Sequence, residues 1–116
     1  MSDIKFSLPG KDGFEVDWPV TLQVPEDGGT FTQVEVSARF VMLPQNDIGT
    51  MSELFTDGGQ VKLLKRVVKE LRGIGGADGK PIDWAMDADT VLGWGFMKRG
   101  LLTAFTAAMQ GHMEKN

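Results

Sequence analysis

From Phe14 onward, apolar and polar side chains alternate. Val16, Trp18, Val20, Leu22 and Val24 fall on one face, and Asp17, Thr21 and Gln23 on the other. A period of two is the pattern of a half-buried β-strand. Pro19 lacks a donor, which predicts an edge strand or a bulge there. Pro25-Glu26-Asp27-Gly28-Gly29 predicts a turn, because Asp-Gly-Gly readily supplies the positive φ values of a hairpin. A second strand is predicted from about Phe31 to Leu43, with Val34, Val36, Ala38, Phe40 and Met42 on its apolar face. Ahead of the hairpin, residues 1–13 read as an arm, with one edge strand around the alternating Ile4, Phe6 and Leu8.

After Leu43-Pro44 the period becomes helical. Ile48, Met51, Leu54 and Phe55 predict a short helix, ended by a tight turn at Thr56-Asp57-Gly58-Gly59. In the next helix Leu63, Leu64, Val67, Val68 and Leu71 share one side. Lys62, Lys65, Arg66, Lys69 and Arg72 take the opposite arc, and Gly73 is placed to stop the helix. Ile74 to Asp83 predicts a loop, with Trp84 still in it. Asp87 or Asp89 is expected to cap a helix that breaks at Gly93-Trp94-Gly95. The last helix is predicted from about Phe96 to Met113, on a stripe of Met97, Leu101, Ala104, Phe105 and Ala108. Strands first and helices after is the α+β order. The expectation is one domain over residues 1–116, with an N-terminal antiparallel β-hairpin (about 14–43) packed against three to four C-terminal helices.

Composition narrows the chemistry. The chain has no cysteine and one histidine, His112, so thiol chemistry and an imidazole-built zinc site are not expected. Asp83, Asp87 and Asp89 precede or open a helix and are read as capping groups rather than metal ligands. Gly73-Ile74-Gly75-Gly76 follows a helix and lacks the residues of a phosphate loop. No catalytic residue, cofactor or metal is predicted, and the chain is read as non-enzymatic. A net charge of −4 argues against nucleic acid. No apolar run suits a membrane span or a secretion signal, so a cytoplasmic location is expected. Charge is unevenly spread: residues 1–60 carry three basic and ten acidic residues, and residues 61–116 carry nine basic and six acidic. That asymmetry, together with the arm, predicts homo-oligomers, with head-to-tail association as one form. The candidate partner-binding residues are the basic set Lys62, Lys65, Arg66, Lys69 and Arg72, with the aromatic residues Trp84, Trp94 and Phe96.

Several segments in order resemble a known family. Val20-Thr21-Leu22-Gln23-Val24-Pro25 with Asp27-Gly28-Gly29, then Ala38-Arg39-Phe40-Val41-Met42-Leu43-Pro44-Gln45, is similar to the N-terminal half of the tail assembly chaperones of long-tailed bacteriophages and prophages. Leu64 through Gly79 with Pro81-Ile82, and the closing run Gly100 to Gly111, resemble the family's second half. The resemblance runs from about Phe14 onward and is carried by order and spacing. It implies a non-catalytic protein of the host cytoplasm that binds the tape measure protein and helps recruit tail tube protein. The alternative is a structural minor tail or connector protein of the virion.

Overall fold

In a computed structural model, which describes residues 3–44 and 56–110, the chain is an α+β domain. Two long strands, β1 (Phe14–Glu26) and β2 (Thr30–Met42), form the expected hairpin. They pair without interruption from Phe14↔Met42 to Glu26↔Thr30. The connection is Asp27-Gly28-Gly29, where Gly28 and Gly29 take φ of 86° and 82°. A side chain would be strained at either angle, so the two glycines allow the strands to reverse within three residues. Pro19 lies on β1, which is an edge strand of the sheet as its missing donor requires.

Two corrections concern the middle of the chain. Thr56-Asp57-Gly58-Gly59 does not simply close a turn but opens helix α1 (Asp57–Val67). Thr56 is the N-cap, and its hydroxyl accepts from the Gly59 N–H at 3.0 Å. The helix does not continue to Arg72. Val68 turns extended, with φ −84° and ψ 122°, and Val68–Arg72 becomes a third strand, β3. It pairs antiparallel to β2, giving a sheet of order β1-β2-β3.

The physical reason lies in one extra residue. The register runs Arg39↔Glu70 and then Phe40↔Val68, so Lys69 is a β-bulge without a partner. Without the bulge, residues three apart in a strand would face opposite sides. With it, Val68 and Leu71 both enter the core, a spacing that imitates a helical turn. Gly73 does take a positive φ of 88°, but it ends a strand rather than a helix.

Helices α2 (Trp84–Leu92) and α3 (Gly95–Gln110) complete the fold, divided at Gly93-Trp94 as expected. The N-cap of α2 is Asp83, not Asp87 or Asp89. Its carboxylate accepts from the Ala85 N–H, and the Asp87 carboxylate accepts from the Asp83 N–H at 2.9 Å. Residues 3–13 form no strand, so the strand expected around Ile4, Phe6 and Leu8 is not present there. The helix expected over 48–55, His112, and the end of the last helix beyond Gln110 lie outside the described residues.

The core sits between the inner sheet face and the helices. It contains Val20, Leu22, Val36, Ala38 and Phe40 from the sheet, Leu64 and Val67 from α1, and Leu101, Ala104 and Phe105 from α3. Phe105 meets Phe40 edge-on, with ring centroids 5.4 Å apart. Such a pair adds roughly 0.5–1.5 kcal/mol beyond its buried area. Helix α3 crosses β1 closely because Gly100 has no side chain. A Cβ built there would lie 2.8 Å from Leu22 Cδ2 and 3.1 Å from the Thr21 carbonyl oxygen.

Candidate functional site

The outer sheet face carries a chain of ion pairs set by strand register. Asp17 on β1 lies opposite Arg39 on β2, and Arg39 lies opposite Glu70 on β3. The Arg39 guanidinium donates to Glu15 at 2.8 Å and reaches Asp17 at 3.1 Å. Arg72 reaches the same Asp17 oxygen at 3.1 Å and binds Glu70 through two parallel contacts, each 3.0 Å. The Glu70 carboxyl is held below its ordinary range, first by the hydrogen bonds from Arg72 and then by its charge. Arg39 and Arg72 are both raised by the carboxylates they donate to.

This arrangement divides the basic residues predicted to bind a partner. Arg72 belongs to the outer face of β3 and is engaged by Asp17 and Glu70. Lys65 on α1 reaches Asp89 on α2 at 3.0 Å, tying the two helices together. Lys62 and Arg66, four residues apart, share a face of α1. Lys69 follows them on the bulge, so it and Arg72 are not part of a helical basic arc. Lys62, Arg66 and Lys69 are exposed, and no ion pair among the described residues engages them.

The aromatic candidates divide as well. Trp84 is the first residue of α2 and only 7% exposed, so it is a core residue and not a surface anchor. Its place in the sequence, between a polar loop and a helix, concealed this; the helix begins at Trp84 itself, which shares the buried face with Ala88, Val91 and Leu92. Trp94 is 60% exposed in the α2–α3 connection. Its ring lies 5.9 Å from that of Phe96, tilted by 37°, and Phe96 is partly buried against the core. The pair is a surface knob with one ring anchored and one presented.

Sequence reasoning read the arm as an edge strand and did not count its apolar residues among the partner-binding candidates. Ile4, Phe6 and Leu8 in the arm are 72%, 72% and 87% exposed. Their alternation was the available signal, although they occupy no strand. Met86 and the hairpin residue Phe31 are exposed too. A cleft of about 500 Å³ opens between β3 and the segment 81–85; of its charged residues, Glu70, Arg72 and Asp83 serve the ion pairs and the helix cap, and Lys69 stands at it without an ion pair among the described residues.

Fold and surface together define a class: a small α+β domain with a closed core and apolar side chains left outside it. No protein-family model, curated protein or solved structure matches the chain. No helix among the described residues is long and apolar enough to cross a membrane.

Proposed function

We propose that this protein is a tail assembly chaperone of a long-tailed phage or prophage, acting in the host cytoplasm by reversible protein binding without catalysis. Its client would be the tape measure protein, kept soluble until tail tube protein is recruited around it. The observation that carries the reading is the exposed apolar set of Ile4, Phe6, Leu8 and Trp94, on a domain whose other large apolar residues mostly pack inward. Burying such side chains contributes about 1.5–3 kcal/mol each, enough for a few contacts to hold an amphipathic client helix. Lys62, Arg66 and Lys69 would favour acidic stretches of the client. The order of segments resembling the family supports the same reading.

The test is co-expression with the tape measure protein encoded by the same phage. The expected result is a soluble complex, weakened by Phe6→Ser, Leu8→Ser and Trp94→Ser, none of which alters the core. Neither complex nor gain in solubility would overturn the proposal. The arm also suits a second reading, a structural minor tail or connector protein, because exposed arms tie neighbouring subunits together in assembled particles. Finding the chain in purified virions would favour that reading.

A further inference from the structure

The sheet has two edges, β1 and β3, and they differ. Strand β1 carries Pro19 and Pro25, paired across to Ser37 and Phe31. A proline has no donor, so on an edge strand it takes positions whose nitrogen faces away from the neighbour. Ser37 therefore turns its N–H and C=O to β3, where it meets Arg72, and Arg39 does the same with Glu70. Leu71, between them, turns its own N–H and C=O outward, to the free edge of β3. No backbone partner among the described residues takes them up on that side. The chain that follows closes on itself instead: the Ile82 N–H donates to the Ile74 carbonyl oxygen at 3.1 Å, and the Gly76 N–H to that of Lys80 at 2.8 Å. The cleft of about 500 Å³ lies along this edge, lined by Leu71 together with Ile74, Ile82 and Trp84.

We infer that the free edge of β3 takes up an extended segment of a partner protein as an added antiparallel strand. An edge strand without proline is a template for such pairing. Charge across the sheet selects the occupant. Asp17, Arg39 and Glu70 stand in one cross-strand row of alternating sign, so the next residue in that row, beside Glu70, is basic. The residue beside Arg72 is acidic by the same rule. Glu70 and Arg72 bind each other, yet about half of each side chain remains exposed to a newcomer. The partner residue between these two faces the same side as Leu71, toward the cleft, and is apolar. Lys69, exposed and without an ion pair among the described residues, calls for a carboxylate just beyond the basic position. In the partner's own direction the segment runs acidic, apolar, basic, acidic. A second copy of this chain suits the edge less well, because its own segment 81–85 borders the same edge and would collide with the facing strand. This edge contains neither the arm nor Trp94, so a failure here leaves the chaperone reading standing.

The experiment titrates the full, isotopically labelled chain with the end-blocked peptide Thr-Val-Glu-Val-Lys-Asp-Thr and follows the backbone amides by NMR. The expected result is a saturable shift of the Leu71 amide. Exchanging the two central charges, in Thr-Val-Lys-Val-Glu-Asp-Thr, keeps the composition and sets like charges opposite Arg72 and Glu70. Binding should weaken about tenfold. Methylating the backbone nitrogen of the valine between glutamate and lysine removes the donor that meets the Leu71 carbonyl oxygen, and the shift should disappear. The wild-type chain serves throughout, so no outcome turns on whether a variant folds. No shift at Leu71, equal affinity for the two charge orders, or undiminished binding of the methylated peptide overturns the inference. A Leu71 shift that follows protein concentration without peptide assigns the edge to a second copy and overturns it as well.

Discussion

Gly100 offers a direct test of how α3 is seated. Replacing glycine with alanine inside a helix ordinarily stabilises it by about 0.8–1 kcal/mol. At Gly100 the added methyl would sit 2.8 Å from Leu22 Cδ2 and 3.1 Å from the Thr21 carbonyl oxygen. Carbon atoms prefer about 3.5–4.0 Å, so the helix must retreat by roughly 0.7 Å or Leu22 must leave its rotamer. Leu22 is buried and Thr21 O belongs to the backbone of a paired strand, so neither gives way easily. Overpacking of this kind costs about 1–3 kcal/mol.

Gly58, in the first turn of α1, supplies the control. A Cβ there meets nothing within 4 Å, and its φ is not positive. The helix-propensity gain is common to both substitutions, so the difference in stability between Gly100→Ala and Gly58→Ala isolates the clash. That difference is expected to be about 1–3 kcal/mol. In urea, with a slope of about 1–2 kcal/mol/M, it separates the two unfolding midpoints by roughly 1 M. Gly58→Ala should move the midpoint up, and Gly100→Ala should leave it unchanged or lower it. Equal stabilisation by both would refute the close seating of α3 on β1.

Phe40→Ala removes a fully buried ring and its contact with Phe105, and equilibrium unfolding should show a loss of about 3–5 kcal/mol. Asp83→Ala deletes the α2 cap and should cost about 1 kcal/mol by the same assay, whereas Asp83→Asn should cost only a few tenths. Glu70 has a lowered pKa in the folded state, so its contribution to stability is complete above its ordinary value of 4.5 and is lost as pH falls through the lower folded value. Thermal melts of Glu70→Gln and wild type should therefore differ at neutral pH and converge in acid. Trp94→Ala should change stability by no more than about 0.5 kcal/mol while removing the tryptophan emission most readily quenched by acrylamide.

The hairpin was legible because alternation over thirteen residues admits one strand reading, and because Asp27-Gly28-Gly29 leaves little choice of turn. The two glycines around Trp94 announced the division between α2 and α3 equally well. The third strand was hidden. Val67 and Val68 favour extended backbone, but the bulge at Lys69 gave Val68 and Leu71 the three-residue spacing of a helix. That single inserted residue also misplaced Lys69 and Arg72 on a helical face. Arg72 looked free because its partners, Asp17 and Glu70, become neighbours only once three strands are in register. Trp84 looked like a surface anchor for a related reason, since it joins the buried face of Ala88, Val91 and Leu92 only if the helix begins at residue 84. The unburied state of Ile4, Phe6 and Leu8 could not be read from a pattern that, elsewhere in the chain, leads inward.

The junction between α1 and β3 has a mechanical consequence. Val67 ends the helix and Val68 is already hydrogen-bonded in the sheet, with no loop residue between them to act as slack. A pull on Lys62 or Arg66 by anything bound there is therefore conducted along α1 straight into the β2–β3 ladder. The helix cannot swing as a hinged flap; it can shift only by peeling β3 from its neighbour, beginning at Phe40↔Val68. Four paired residues would thus set the force at which that face yields, like a short zipper loaded from one end.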